Sequence, residues 1–264
     1  MKWSYILFVP ALIMTFWPLF TLLQRRQPSR AQFLLCITQL MMAFAAAVLA
    51  VYFRGRAGSL FIYDYIFRFV TILCPAVYYL GICSLTEPRG ATLRQRQAFV
   101  PPLVYILGLT VGAFRLGPRR YELLCQLIRD GSATVLPHQP AWNFMLFWDH
   151  HFFLVLLIII GSVLLTMAWR KGKLYAHRFN RFYASDINAP RLQTRPLGIA
   201  AWVFLPAALL SMLAVDYRPY YYKYWLIALS LILTVIQFQV GRCIHTLNHD
   251  ARFLANLIKI KIEK

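Results

Sequence analysis

Seven blocks of apolar residues divide the sequence, and most of them are about twenty residues long. The hydrocarbon core of a bilayer is about 30 Å thick, and about twenty helical residues span it. Peptide groups in lipid need partners within their own segment, so we predict an all-α fold, a polytopic membrane helix bundle of about seven transmembrane helices. The blocks cover residues 4–23, 32–53, 60–83, 99–114, 147–169, 197–215 and 221–240.

The charge of the chain is strongly positive, at a formal +19, although only 14% of its residues are charged. In a soluble protein such a balance indicates nucleic acid as a partner. Here the basic residues lie between the apolar blocks, where they meet the anionic headgroups of the lipid bilayer. We therefore expect lipid rather than direct nucleic-acid contact, and no separate soluble catalytic or DNA-binding domain.

The loops set the orientation, because cytoplasmic loops carry an excess of Lys and Arg. With the N-terminus outside, the inner segments hold about twice as many basic residues as the outer ones. The sequence thus predicts a multi-pass protein of the cell inner (plasma) membrane with its C-terminus inside. We divide it into a membrane domain, 1–241, and a short cytoplasmic tail, 242–264.

Known catalytic motifs are missing from the sequence. There is no phosphate-binding glycine loop, no HExxH and no GxSxG, and no acidic pair lies deep within one block. The 5 cysteines show no CxxC or metal-ligand spacing. We predict a protein that is not an enzyme and that has no cofactor and no metal site.

Polar residues collect at the predicted outer ends of several blocks, where they together form the floor of a hypothetical outward-facing pocket for an external ligand. The candidate ligand-binding residues are Asp64, Arg68, Asp149, His150, His151, Asp216, Arg218 and Tyr221.

Within this set, Asp64 and Arg68 are four residues apart with the acid first, the better order for an ion pair on one helical face. An ionic pair inside a membrane is a functional hypothesis by default, although a purely structural pair fits equally well. Imidazoles such as those of His150 and His151 bind metals or change charge near neutral pH. Adjacent residues project about 100° apart on a helix, so we favour a hydrogen-bonding role for these histidines.

The longest outer connection, 115–146, contains a stretch with helical periodicity. In residues 119–130, Tyr121, Leu124, Cys125 and Ile128 recur at helical spacing. We predict an interfacial helix that packs over the bundle as a lid, with a ligand cap as the alternative.

Two inner segments are candidates for passing a signal to the cytoplasm. The connection 170–196 is basic and contains Arg178, Asn180 and Arg181. In the tail, apolar residues that include Ile244, Leu247 and Leu254 alternate at three- and four-residue steps. This pattern is typical of a short coiled coil, which would make a homodimer, or of an amphipathic helix on the membrane.

A family resemblance rests on four features of the sequence. Three are the seven spans, the inner C-terminus and the helical exit from the last span. The fourth is a run before the sixth block that consists of Arg178, Phe179, Asn180, Arg181, Phe182 and Tyr183. The chain resembles the membrane sensor region of bacterial multi-pass AraC-type helix-turn-helix regulators and of related seven-span sensor histidine kinases. The resemblance implies a sensor whose output lies in the cytoplasm. Residues 242–264 are too few for such an output domain, so we expect a truncated regulator or a sensor that acts on a separate output protein.

The leading hypothesis from sequence is a non-enzymatic sensor that passes an external cue to a cytoplasmic output partner. A small-solute transporter is the first alternative, although the sequence shows no internal repeat typical of that class. An assembly subunit of a larger membrane complex is the second alternative.

Overall fold

The computed structural model describes residues 8–24, 29–54, 60–86, 92–129, 140–182, 195–216 and 222–246. The described residues are nearly all helical, and none of them forms a strand. The helices are α1 (Phe8–Gln24), α2 (Arg30–Arg54), α3 (Leu60–Thr86), α4 (Leu93–Arg96), α5 (Val100–Leu116), α6 (Pro118–Arg129), α7 (Pro140–Leu146), α8 (Phe153–Phe182), α9 (Arg195–Asp216) and α10 (Tyr222–Thr246). A 3₁₀ turn, Gln97–Phe99, joins α4 to α5, and a π-helical turn, Phe147–Phe152, joins α7 to α8.

The described part of each apolar block is helical, so the all-α prediction is confirmed for the described residues. Four described helical stretches are long and apolar enough to cross a membrane: Arg30–Tyr52, Leu60–Leu85, Leu93–Leu116 and Pro140–Phe182. The apolar stretches Phe8–Gln24, Leu197–Ser211 and Ser230–Ile244 are shorter. The chain is therefore a membrane protein with at least four helices of spanning length.

Six helices form a closed ring. Going round it, α1 packs on α2, α2 on α3, α3 on α8, α8 on α9, α9 on α10, and α10 returns to α1. The remaining helices lie outside the ring, where α5 and α6 pack on α3 and α7 packs on α5. This arrangement leaves α3 between the ring interior on one side and the outer helices on the other.

Two core clusters divide the described part of the bundle along its length. One surrounds the beginning of α3 and includes Leu60, Tyr105, Leu124 and Phe153. We name this the charged end, for the ion pairs described below. The other surrounds the end of α3 and includes Cys83, where α8 ends and α9 begins. We name this the basic end, for the Lys and Arg residues along the last turns of α8.

Neutral hydrogen bonds join the helices at the basic end. Ser29 and Gln32 exchange side-chain and backbone bonds at the start of α2, each 3.2 Å long, which is a capping box. The Gln32 amide also donates to the backbone carbonyl of Ile244 in α10, at 3.2 Å. The Tyr78 hydroxyl of α3 donates to the carbonyl of Leu197 in α9, at 2.7 Å. The bonds of Gln32 and Tyr78 tie together helices that are distant in sequence.

Two glycines of α5 allow a close approach to the segment before α8. A Cβ atom added at Gly108 would lie 2.2 Å from the Trp148 ring, and one at Gly112 would lie 2.2 Å from the Met145 sulfur. Both distances are far below van der Waals contact, so a larger residue would force Trp148, Met145 or α5 itself to shift. The Trp148 indole, seated against Gly108, donates to the Tyr105 carbonyl at 3.0 Å.

Two boundaries differ from those predicted. The connection predicted at 170–196 is helical as far as Phe182, because Gly172, Tyr175 and Phe179 keep one buried stripe on α8 after the apolar block has ended. Likewise α10 continues past residue 241 to Thr246. A hydropathy block ends where the exposed face becomes polar, whereas a helix continues as long as one face stays buried.

Candidate functional site

The candidate site is a buried group of charged side chains at the charged end. The Arg68 Nε atom lies 2.9 Å from Asp64 Oδ2 and 2.9 Å from Asp149 Oδ1. Arg68 is 0% exposed, Asp64 4% and Asp149 1%. The predicted ion pair between Asp64 and Arg68 is confirmed, and the structure adds Asp149 as a second carboxylate.

Asp149 lies within the π-helical turn Phe147–Phe152. Its backbone carbonyl accepts a hydrogen bond from Arg68 Nη1, so Arg68 holds both the side chain and the main chain of this residue. Asp149 lies near the start of the fifth apolar block, 147–169, and the helical stretch Pro140–Phe182 begins nine residues before it. π-helical turns interrupt the regular hydrogen-bond ladder and are frequent at functional sites.

Helix α6 covers the site and contacts it through neighbouring side chains. The Tyr121 hydroxyl lies within hydrogen-bonding distance of Asp64 Oδ2, at 3.2 Å, and of Asp149 Oδ2, at 3.3 Å. The next residue, Glu122, accepts a hydrogen bond from the backbone N–H of Phe61 in the first turn of α3, at 3.0 Å. An acidic group there satisfies a helix terminus and complements its dipole. We call Asp64, Arg68, Tyr121 and Asp149 together the charge cluster.

The predicted apolar stripe of α6 is confirmed as a packing face. Tyr121, Leu124, Cys125 and Ile128 are all buried against the bundle. Burial raises the pKa of the Tyr121 hydroxyl well above its usual value, and the nearby carboxylates of Asp149 and Asp64 raise it further. Tyr121 therefore keeps its proton across the physiological range and remains a hydrogen-bond donor.

Aromatic rings enclose the charge cluster. The Arg68 guanidinium carbon lies 5.3 Å from the centre of the Phe153 ring, a cation-π contact. Tyr105 of α5 is fully buried, its ring centre 5.3 Å from that of Phe153. A charged group is tolerated away from water when it is paired and hydrogen-bonded, and each member of the cluster meets that requirement.

The other residues of the predicted pocket separate into two groups. His151 is exposed, with its ring centre 6.5 Å from that of Phe147, and does not join the charge cluster. His150 lies in the π-helical turn and Asp216 ends α9, but their side chains lie outside the described residues, as do Arg218 and Tyr221 altogether. At Arg68 the structure has a packed interior in place of the predicted open floor, since its side chain is inaccessible.

The structure brings together two buried acidic residues that lie in different apolar blocks. Asp64 and Asp149 come from different helices and meet at Arg68, although 81 residues separate Arg68 from Asp149 in sequence. Tyr121, which the sequence indicates only as a packing residue, belongs to the same group. Among the described residues, no three His, Cys, Asp or Glu side chains are placed to hold a metal ion.

The predicted relay residues lie at the basic end as far as they are described. Arg178, Asn180 and Arg181 are exposed on the last turns of α8. Ile244 is not part of an exposed tail: it is buried in the core of the basic end, on α10. Leu247 and Leu254 lie outside the described residues.

No protein-family model, no curated protein and no solved structure matches this chain. The functional argument therefore rests on the geometry of the chain itself.

Proposed function

We propose that the chain is a non-enzymatic, signal-transducing protein of a bacterial inner membrane, with seven transmembrane helices, its N-terminus outside and its C-terminus inside. In this proposal the charge cluster is a latch at the outer side. An external cue releases the latch, and the change reaches a cytoplasmic output partner through α8.

The observation that carries the proposal is one continuous helical segment, Pro140–Phe182, which bears Asp149 near its beginning and Arg178 and Arg181 near its end. At 1.5 Å per residue, Asp149 and Arg178 are about 43 Å apart along the axis, more than the thickness of a bilayer core. A displacement of the π-helical turn at one end of this segment can therefore move the residues at its other end. Helix shifts of this kind are an established way of transmitting signals.

The charge cluster suits a latch because its bonds depend on one another. Arg68 bonds to both carboxylates, and Tyr121 approaches the same two carboxylates from α6. A cue that binds better when α6 is displaced would favour the released state, since a ligand shifts a conformational equilibrium only by its differential affinity. The exposed Arg178, Asn180 and Arg181 then supply a basic surface for an output protein or for anionic headgroups.

A distance measurement tests this proposal in the full chain, with its five cysteines replaced. Spin labels at Leu93→Cys and Arg181→Cys, both exposed at the basic end, report on the end of α8. We expect Asp149→Asn, which weakens the latch, to change this distance by about 2 Å or more. His151→Gln alters the same turn outside the charge cluster and is the matched control. Unchanged distances in Asp149→Asn would contradict transmission along α8.

A small-solute transporter is the second candidate, and one observation favours it. Asp64, Asp149 and Arg68 converge inside the bundle beside an interrupted helix, as ion and substrate sites of transporters do. Uptake of amino acids or sugars into proteoliposomes that is lost in Asp149→Asn and kept in His151→Gln would favour transport over signalling.

A further inference from the structure

Two exposed tryptophans lie at the seam between α8 and α9, at the basic end. Trp169, the last residue of the fifth apolar block, is 40% exposed, and Trp202 of α9 is 53% exposed. The two rings meet edge to face, with their centres 6.1 Å apart. A Cβ atom added at Gly198 would lie 2.5 Å from Trp169 Cδ1, so this indole rests directly on the backbone of α9. Exposed tryptophan is typical of headgroup depth, which indicates that the seam lies there.

A cation lies over this aromatic surface. Lys173 follows Trp169 by one turn of α8, and its Nζ atom lies 5.8 Å from the centre of the Trp169 ring. Lys173 is exposed and makes no ion pair with a described residue. The indole N–H of Trp169 likewise has no hydrogen-bond acceptor within the described ranges. An ammonium and a neighbouring N–H are therefore both open to one acceptor group.

The charge at the seam is unbalanced. Residues 170–173 include three basic residues and no acidic one. The acidic side chains that the structure describes are those of Asp64, Glu122 and Asp149, and all three lie at the charged end. No described carboxylate balances the cations of the seam, so this surface is complementary to an anionic molecule.

An exposed apolar stripe continues from the cation along α9. Ile199, Trp202 and Pro206 follow one another at three- and four-residue steps, so they share one face of the helix, and all three are exposed. The stripe is about 10 Å long, at 1.5 Å per residue. Lys173 lies beyond its apolar block, whereas the stripe lies within one. The seam therefore presents a cationic part followed by an apolar part, the order in which a phospholipid carries its phosphate and its acyl chains.

We propose that this seam is a binding site for one anionic phospholipid. The phosphate accepts hydrogen bonds from the Lys173 ammonium and from the Trp169 indole N–H. One acyl chain lies along Ile199, Trp202 and Pro206. A zwitterionic lipid gains less, because its own cation comes close to the basic residues. A free phosphate ion also gains less, since it buries no apolar surface and pairs only with an exposed charge. The site does not depend on the proposed signalling role.

Native mass spectrometry of the full chain, released from detergent micelles, tests the site. Titration with phosphatidylglycerol should show one saturable lipid per chain, and phosphatidylcholine should bind less tightly. Lys173→Gln should weaken the binding of phosphatidylglycerol about fivefold, because one basic residue near an anionic headgroup contributes about that factor. Trp202→Ala, on the other helix, should weaken it as well, since the acyl chain loses its contact surface. Both side chains are exposed, so both variants should fold.

Lys171→Gln is the matched control. It removes the same charge two residues earlier, and its side chain projects about 200° away around α8, outside the seam. It should keep the binding. Glycerol phosphate, which has no acyl chains, should not compete at the concentrations at which phosphatidylglycerol binds. Three results would each overturn the proposal: equal binding of phosphatidylcholine, equal losses in Lys173→Gln and Lys171→Gln, or competition by glycerol phosphate, which would make a soluble phosphate compound the ligand.

Discussion

At the charged end of the bundle the helices meet through ions, whereas at the basic end they meet through neutral amides and hydroxyls. Arg68 and two carboxylates connect α3 to the segment before α8, and Tyr121 adds α6. At the other end Gln32 and Tyr78 each donate to a backbone carbonyl of a partner helix. Both sets join elements that are distant in sequence, but they differ in the free energy that is lost when one partner is removed.

The difference follows from what remains when one partner is removed. A neutral hydrogen bond contributes about 0.5–1.5 kcal/mol, and its loss leaves at most one unsatisfied dipole. Breaking a buried ion pair leaves an uncompensated charge and costs about 3–5 kcal/mol. We therefore expect the loss of one partner to cost more at the charged end than at the basic end. This difference agrees with the switching role proposed above for the charged end.

The largest expected effect is that of Arg68→Leu. It leaves two buried carboxylates without their cation, so we expect unfolding in detergent to become easier by about 3–5 kcal/mol. Thermal and denaturant unfolding of the purified protein measure this loss. The triple variant Asp64→Asn, Arg68→Leu, Asp149→Asn removes all three charges and should recover much of the stability. If Arg68→Leu lost less unfolding free energy than Gln32→Leu, the contrast between the two ends would be wrong.

Two Tyr→Phe variants compare the charged end with the basic end, because each removes the same group, a single hydroxyl. Tyr121→Phe removes a hydroxyl that bonds to carboxylates, which should cost about 1.5–3 kcal/mol. Tyr78→Phe removes a hydroxyl that bonds to one neutral carbonyl, which should cost about 1 kcal/mol. Hydrogen exchange should locate the first loss in α6 and the second at the contact between α3 and α9. Equal losses in the two variants would contradict the special role of the carboxylates.

High pH should weaken the charged end through Tyr121. Its pKa is raised in the folded state, so both states hold the proton below about pH 10 and only the unfolded state loses it just above. The stability from this group is complete below pH 10 and is lost as pH rises toward the folded pKa, by at most about 1.4 kcal/mol per pH unit. The difference in unfolding free energy between wild type and Tyr121→Phe should therefore shrink from pH 9 to pH 11. A constant difference would refute this assignment.

The smallest effect is expected for His151→Gln. His151 is exposed and lies two residues from Asp149, but it takes no part in the charge cluster. Exposed substitutions of this kind usually change stability by less than about 0.5 kcal/mol. The thermal unfolding of the purified protein should thus be unchanged by this substitution. A loss of more than about 1 kcal/mol would show that the imidazole has a buried partner.

Much of the fold could be predicted because hydropathy and helix periodicity act locally. Each apolar block became a helix, and the periodicity of 119–130 gave both the helix α6 and its buried face. Asp64 and Arg68 could be paired because they are four residues apart on one helix. These inferences need only the geometry of a single element.

The rest of the site depends on how separate helices meet. Tyr121 and Asp64 are 57 residues apart, and no local pattern relates them. Closeness in sequence did not place residues in the same environment. Asp149 is buried, whereas His151, two residues later, is exposed. Gln39 and Gln237, whose side chains hydrogen-bond to each other, carry a signal in the sequence, since a polar residue in the middle of an apolar block needs a partner within the bundle.

The bond between Gln32 and the Ile244 carbonyl has a consequence for biosynthesis. The two residues are 212 positions apart, so this hydrogen bond cannot form until α10 has emerged from the ribosome. Until then α2 lacks this acceptor and α1 lacks α10 as a neighbour. The ring therefore closes only after synthesis of α10, and a nascent chain that stops before it keeps an open seam toward lipid.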